Sequence, residues 1–199
     1  DNCGEVTIEV SSETTAGDAA GNYVIVRTFT ATDDAGNSSS ATQTITVEDT
    51  TAPEFTSVPA DYTVECSDEM PMDDATASDN CGEVTIEVSS ETTAGDAAGN
   101  YVIVRTFTAT DDAGNSASAT QTITVQDTTA PEFTFVPEGF NVTCSSELPV
   151  EYDMATASDN CGEVTVTLTL EEIPGDVEGS YTLNLIYTAT DDAGNSISE

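Results

Sequence analysis

The 199-residue chain carries 38 carboxylates against two basic residues, Arg27 and Arg105, with no Lys, His or Trp and a formal net charge of −36. That balance excludes nucleic acid as a partner, because phosphate binding needs cationic neutralisation. It also argues against an enzyme built on a His or Lys base, and against a zinc centre, since the five cysteines have no CxxC spacing and no His to complete a set.

In chain order, residues 1–47 return as 79–125 with one change, Ser39 to Ala117. A third, diverged copy keeps ATASDNCGEVT around Asp159 and YTATDDAGNS around Asp191. Such self-similarity is the signature of a tandem array. The punctuation DTTAPEF, at 49–55 and 127–133, has a pre-proline residue biased to extended backbone and suits a short stiff linker. Cutting there gives 1–48 as the C-terminal part of a repeat, 49–126 as a complete repeat, and 127–199 as a repeat without its last strand. The expectation is a window on a longer polypeptide.

Within 49–126 the β-prone runs are Glu54–Val58, Tyr62–Cys66, Ala75–Ser78, Glu83–Ser89, Tyr101–Thr110 and Ser116–Val125, none with a helical apolar stripe. Val84, Ile86 and Val88 alternate with polar residues, as do Tyr101, Ile103, Phe107 and Ala109 and their third-copy counterparts Tyr181, Leu183, Tyr187 and Ala189. One buried face per strand is expected. Strands so spaced predict tandem, all-β, immunoglobulin-like antiparallel β-sandwich domains arranged as a rod. The run Tyr62–Cys66 reads equally as a full strand or an edge strand. The DDAGN segments at Asp33, Asp111 and Asp191 are expected hairpin turns, with Gly taking positive φ. In an immunoglobulin-like strand order, this hairpin, the DNCG turn and the DTTAP linker meet at one pole.

The cysteines come in twos per copy, so the expected disulfides are Cys66 with Cys81 and Cys144 with Cys161, while Cys3 matches Cys81 and has no partner within its copy. Disulfides indicate an oxidising, extracytoplasmic setting. Loops of this size would contribute about 3 kcal/mol each. Arg27 and Arg105 fall in phase with buried-looking residues where the third copy has Leu185. They are expected at a bulge or edge where the stem packs and the guanidinium reaches a carboxylate, with an ion pair to a neighbouring domain as the alternative.

DTTAPEF, ATASDNCGEVT and TFTATDDAGNSSSATQTITV resemble, over essentially the whole chain, the HYR-type and related bacterial immunoglobulin-like repeats of large surface adhesins, including Bacteroidetes-type gliding and attachment adhesins. The resemblance implies an extracellular or cell-surface β-sandwich serving as spacer or adhesive stalk, often with calcium at domain junctions. Calcium takes six to eight oxygen ligands, which Asp, Asn and Gly turns supply. The candidate ligands are Asp49, Asp79, Asn80, Asp111, Asp112 and Asn115 at one junction and Asp127, Asp159, Asn160, Asp191, Asp192 and Asn195 at the next. Asp1, Asn2, Asp33, Asp34 and Asn37 would serve a further one. Each segment alone also reads as an ordinary Asx turn.

The leading function is structural: a calcium-stiffened stalk or filament whose partners are neighbouring repeats of the same chain and other copies in a fibre. The alternative is a multivalent binding module for glycans or other surface ligands, with Tyr62, Phe135, Phe140 and Tyr152 as the unassigned aromatics. No apolar membrane span is present in the sequence.

Overall fold

The structure, a computed structural model, describes residues 4–143, 147–149 and 151–199. All its elements are strands. In the first copy β1 (Val6–Ala16), β2 (Tyr23–Asp33) and β3 (Ser38–Val47) form a three-stranded antiparallel sheet. The middle copy adds β4 (Glu54–Ser57), β5 (Tyr62–Glu65), β6 (Thr76–Ser78), β7 (Val84–Ala94), β8 (Tyr101–Asp111) and β9 (Ser116–Gln126). These make a two-stranded sheet, β4-β6, and a four-stranded sheet in the order β5-β9-β8-β7, the two layers of a β-sandwich. The third copy supplies β10 (Glu132–Phe135), β11 (Thr156–Ser158), β12 (Val164–Pro174), β13 (Tyr181–Asp191) and β14 (Ser196–Ser198), paired as β10-β11 and β12-β13-β14.

The break between β4 and β5 has a local cause. Pro59 has no N–H to give a ladder, so the extended chain cannot continue in one sheet. It leaves β6, crosses to the other layer and pairs with β9. That pairing, left open in the sequence, is parallel, with Tyr62 opposite Ile123 and Glu65 opposite Gln126, so the sandwich is not purely antiparallel. The Asp61 carboxylate seats the entry of β5 by accepting the Thr122 N–H at 2.7 Å.

Two compact units emerge: Asp1–Pro59 with Asp73–Ser89 and Arg105–Gln121, and Ala60–Met72 with Ser90–Val104 and Thr122–Glu199. Their limits fall at Pro59/Ala60 and Met72/Asp73 and inside β7, β8 and β9. In the second unit Ile103, Ile123 and Val125 form a buried cluster, covered by Tyr62, Val64, Cys66, Met70 and Tyr101. Fully burying one such aliphatic side chain contributes about 1.5–3 kcal/mol. In the first unit Phe107 and Ala109 are fully buried. The alternation expected in Glu83–Ser89 fades along the strand: Val84 and Ile86 are half-buried but Val88 is exposed, because β7 is the sheet edge. In the third copy Tyr187 and Ala189 are buried while Tyr181 is exposed. There β14 pairs with Thr188–Thr190 and Glu199 with Tyr187, so among the described residues the start of β13 is paired with β12 and not with β14.

Candidate cation site and disulfide junction

Three kinds of loop build the acidic site, and each is shaped by local chemistry. In the DDAGN hairpins the first Asp organises the turn. Asn37 donates to Asp33 from its backbone N–H at 2.8 Å and its amide at 2.8 Å, and Asn115 and Asn195 repeat both bonds to Asp111 and Asp191. Gly36, Gly114 and Gly194 take φ of 84°, 89° and 89°, as this turn requires. In the DNCG bends one oxygen of Asp79 and of Asp159 accepts the N–H of Cys81 and of Cys161, both at 2.8 Å. In the linkers Asp49 and Asp127 accept the N–H of Thr51 and Thr129.

The fold gathers these loops. One oxygen each from Asp127, Asp159 and Asp191 lie within 4.8 Å of one another, and Asp127 and Asp191 are each only 6% exposed. The amide of Asn195 ties hairpin to linker by donating to the Asp127 carbonyl at 3.3 Å, and Asn115 does the same to Asp49. In the earlier copy Asp49, Asp79 and Cys81 meet within the same limit. The second oxygens of Asp79 and Asp159 are buried without a hydrogen-bond partner. An unpaired buried polar atom costs about 1–3 kcal/mol, and more for a charged group.

The electrostatics carry the same conflict. Burial pushes the Asp127 carboxyl above the usual aspartate value; the Thr129 N–H pulls it back, and the facing charges of Asp159, Asp191 and Glu65 raise it further. Asp111 is also pushed up by burial, but its bonds from Asn115 outweigh that and hold it low. Glu65 is held low chiefly by the Thr128 hydroxyl, which donates at 2.7 Å. Burial raises the Cys81 thiol, and Asp49, Asp79 and Asp111 add to the shift.

The disulfide differs from the expectation. Cys66 is bonded to Cys161, 95 residues away, with Cα atoms 6.1 Å apart; Cys81 is a free thiol and Cys144 lies outside the described residues. The expected Cys66–Cys81 and Cys144–Cys161 pairings are therefore both displaced. The parallel seat of β5 is the reason. It carries Cys66 to the end of β9, where its N–H donates to the Gln126 carbonyl at 3.2 Å, immediately before the linker that leads to the next copy's DNCG bend. The closed loop is long, and the chain-entropy estimate for about 100 residues is ~4.7 kcal/mol.

Not all predicted ligands join the cluster. Asp112 and Asp192 are exposed and lie beside Gly82 and Gly162. The amides of Asn80 and Asn160 turn to the sulfurs of Cys81 and Cys161 at 2.9 Å, and Asn160 also donates to Ser67 Oγ. Three contributors were missed. Asn22 and Asn100, closing the GDAAGN loops, accept the N–H of Asp49 and Asp127 at 2.7 and 2.8 Å. Glu65 clamps Thr128 in the linker through three bonds. The available signal was the Gly-Asn pair: Gly99, with φ of 81°, backs onto the disulfide so closely that an added Cβ would stand 3.0 Å from that of Cys161.

Arg105 is buried, donating to the Asp73 carbonyl at 2.8 Å and to Gln121 Oε1 at 3.0 Å, with its guanidinium 4.9 Å from the Phe107 ring centre. Its carboxylate contact, Asp74 at 3.7 Å, is solvent-exposed. No bulge is involved at the equivalent Arg27, whose register with Ser12 and Gln43 is unbroken.

These sheets and the disulfide define an all-β, disulfide-bearing sandwich. Residues 55–125, within the middle copy, match the family model of an HYR-like domain with 4 cysteines. The chain is also 36% identical over 182 residues to hyalin of Lytechinus variegatus, an alignment covering 84% of this chain and 34% of hyalin; it spans about a third of that relative's length. Among solved structures it is similar to Drosophila N-cadherin EC1-4 (15% identity, TM-score 0.38, 98% of this chain and 65% of that one) and to protocadherin gammaB7 EC3-6 (14%, 0.36, 98% and 67%). Likeness at that level carries no argument about function.

Proposed function

We propose that the chain is a structural segment of an extracellular, adhesion-related repeat protein, a stalk or filament whose acidic loops are braced by calcium. The observation that carries the calcium reading is the buried, partnerless oxygen of Asp159 beside Asp127 and Asp191. The extracellular, adhesion-related part is supported by the HYR-like match, the similarity to hyalin and the disulfide. Asp127, Asp159 and Asp191 would hold one ion. Asp49 and Asp79, with Asp111 tied to the linker through Asn115, would hold another. Asn115 and Asn195 orient the hairpin carboxylates, while Asn22 and Asn100 fix the linker backbone. A hard divalent cation would neutralise carboxylates that otherwise repel at low dielectric.

Calorimetric titration of the purified chain with calcium tests this. Saturable binding that loses one site in Asp159→Asn is expected; no heat above dilution in the wild-type chain would refute it. A second reading, multivalent glycan binding, is favoured by the exposure of Phe135 (54%) and Phe140 (55%) and by a cavity of about 980 Å³ that Phe140 and Tyr152 share. A glycan array with the chain decides that reading: reproducible binding lost in Phe140→Ala supports it, and an empty array ends it.

A further inference from the structure

Asp127 stands in two clusters at once. Its carboxylate lies within 4.8 Å of an oxygen from Asp159 and one from Asp191, and within the same distance of Glu65 and of both sulfurs of the Cys66–Cys161 bridge. Both sulfurs also stand 3.8 Å from Oε1 of Glu65. The acidic site and the disulfide are therefore continuous, and what moves the bridge moves the site.

Each of the three carboxylates is held by a different device. Asp127 sits on the linker, whose backbone is fixed by Asn100 at the Asp127 N–H and by Glu65 at Thr128. Asp191 sits on its hairpin, which the Asn195 amide ties to the Asp127 carbonyl. Asp159 is carried by the DNCG bend, where its first oxygen accepts the Cys161 N–H and its second is buried without a hydrogen-bond partner among the described residues. That bend is fastened to the end of β5 by the disulfide and by the Asn160 amide, which donates to Ser67 Oγ at 3.2 Å. Gly99 backs the bridge from the other side, close to the Cβ atoms of both cysteines.

Carboxylates this close and this buried repel one another. A bend free to move would carry Asp159 away from Asp127 and Asp191, but an intact disulfide keeps its Cα atoms within about 7 Å, and here they are 6.1 Å apart. We propose that the Cys66–Cys161 disulfide governs the cation site: oxidised, it holds Asp159 against Asp127 and Asp191 ready for a divalent cation, and reduced, it lets the DNCG bend withdraw and the site lose affinity. The proposal rests on the cation reading of the acidic loops. Reduction by a dithiol proceeds by attack of one thiolate on a bridge sulfur, which releases the other cysteine and leaves a mixed disulfide; the second thiol then closes the reductant's own ring and releases the remaining cysteine. Two electrons and two protons pass from the reductant to Cys66 and Cys161. Coupling between sites is reciprocal, so a bound cation makes the bridge harder to reduce by the same factor. A chain not yet oxidised would bind the cation weakly, and the brace would set only after the disulfide forms.

The test is calorimetric titration of the full chain with calcium before and after reduction by dithiothreitol, with far-ultraviolet circular dichroism on the same samples. The binding that Asp159→Asn removes should weaken at least about tenfold on reduction while the β-sheet signal is kept. In the Asp159→Asn chain, reduction should leave the remaining binding unchanged. Cys66→Ser combined with Cys161→Ser should reproduce the reduced chain with no reductant present. In a glutathione buffer, alkylation and peptide mapping at Cys66 and Cys161 should find a smaller reduced fraction in calcium than in chelator. Absence of calcium binding in the oxidised chain would remove the cation reading itself. Equal affinities in the oxidised and reduced chains, or collapse of the β-sheet signal on reduction, which would make the bridge a general staple of the fold, would overturn the coupling alone.

Discussion

At Asp33 one carboxylate accepts three hydrogen bonds, two from Asn37 and one from the Ala35 N–H, while only half-buried. The Asn37 side chain, first among the causes, holds its pKa below the ordinary aspartate value. Because the folded value is depressed, the stabilisation is present above the unfolded pKa and is lost as pH falls through the folded one. NMR titration should find a low midpoint for Asp33, and Asn37→Ala should move it up; an unchanged midpoint contradicts this reading. The same turn forms where Asp33 is half-buried and where Asp111 and Asp191 are buried. The DDAGN pattern was therefore legible as a turn, while burial, which separates candidate ligand from simple cap, was not. Glycines give a second residue-scale prediction. Gly99→Ala should cost more than Gly114→Ala, because both sit at positive φ, each at about 1–2 kcal/mol of strain, but only Gly99 also meets Cys161 and Cys66. Paired denaturant melts measure the difference; equal losses would contradict it.

Strands were read from the sequence to within a residue or two wherever period-two patterns and turn residues agreed, as in Tyr101–Asp111 and Ser116–Gln126. The pattern failed at β7, whose last residues, Ser90–Ala94, are a polar edge with no apolar alternation to mark them. It was silent on the partner of β5, because register and direction depend on the sheet crossing at Pro59. A long-range exchange was equally hidden. Where the middle copy uses Arg105 to bind the Asp73 carbonyl, the third has Leu185, and the hydroxyl of Tyr187, in place of Phe107, binds the matching Asp153 carbonyl at 2.8 Å. Arg105→Leu should therefore destabilise by about 1–3 kcal/mol through the unpaired Asp73 carbonyl. Adding Phe107→Tyr should recover part of that loss, and a double-mutant cycle without coupling would show that the two tethers are unrelated.

Across the whole molecule, the disulfide decides how far the chain can extend. Cys66 and Cys161 enclose 95 residues of sequence separation that tension cannot unravel until the bond is reduced. Single-molecule pulling should show the fully extended length grow by roughly 310–340 Å on reduction, at 3.3–3.6 Å per residue; growth of only ~50 Å would indicate instead a local Cys66–Cys81 bond. The sequence had the repeats, the oxidising setting and the acidic loops, but not which copy each cysteine serves, since that follows from the parallel seat of β5. The net charge of −36 and the gathered carboxylates of Asp127, Asp159 and Asp191 make calcium the central claim. It is tested most directly by melting the wild-type and Asp159→Asn chains in calcium and in chelator. Ligand at 100 times Kd adds about 2.7 kcal/mol, or ~5–10 °C for a chain of this size. A rise of that order in the wild type, lost in Asp159→Asn, is the predicted result; superimposable wild-type curves in calcium and chelator would contradict it.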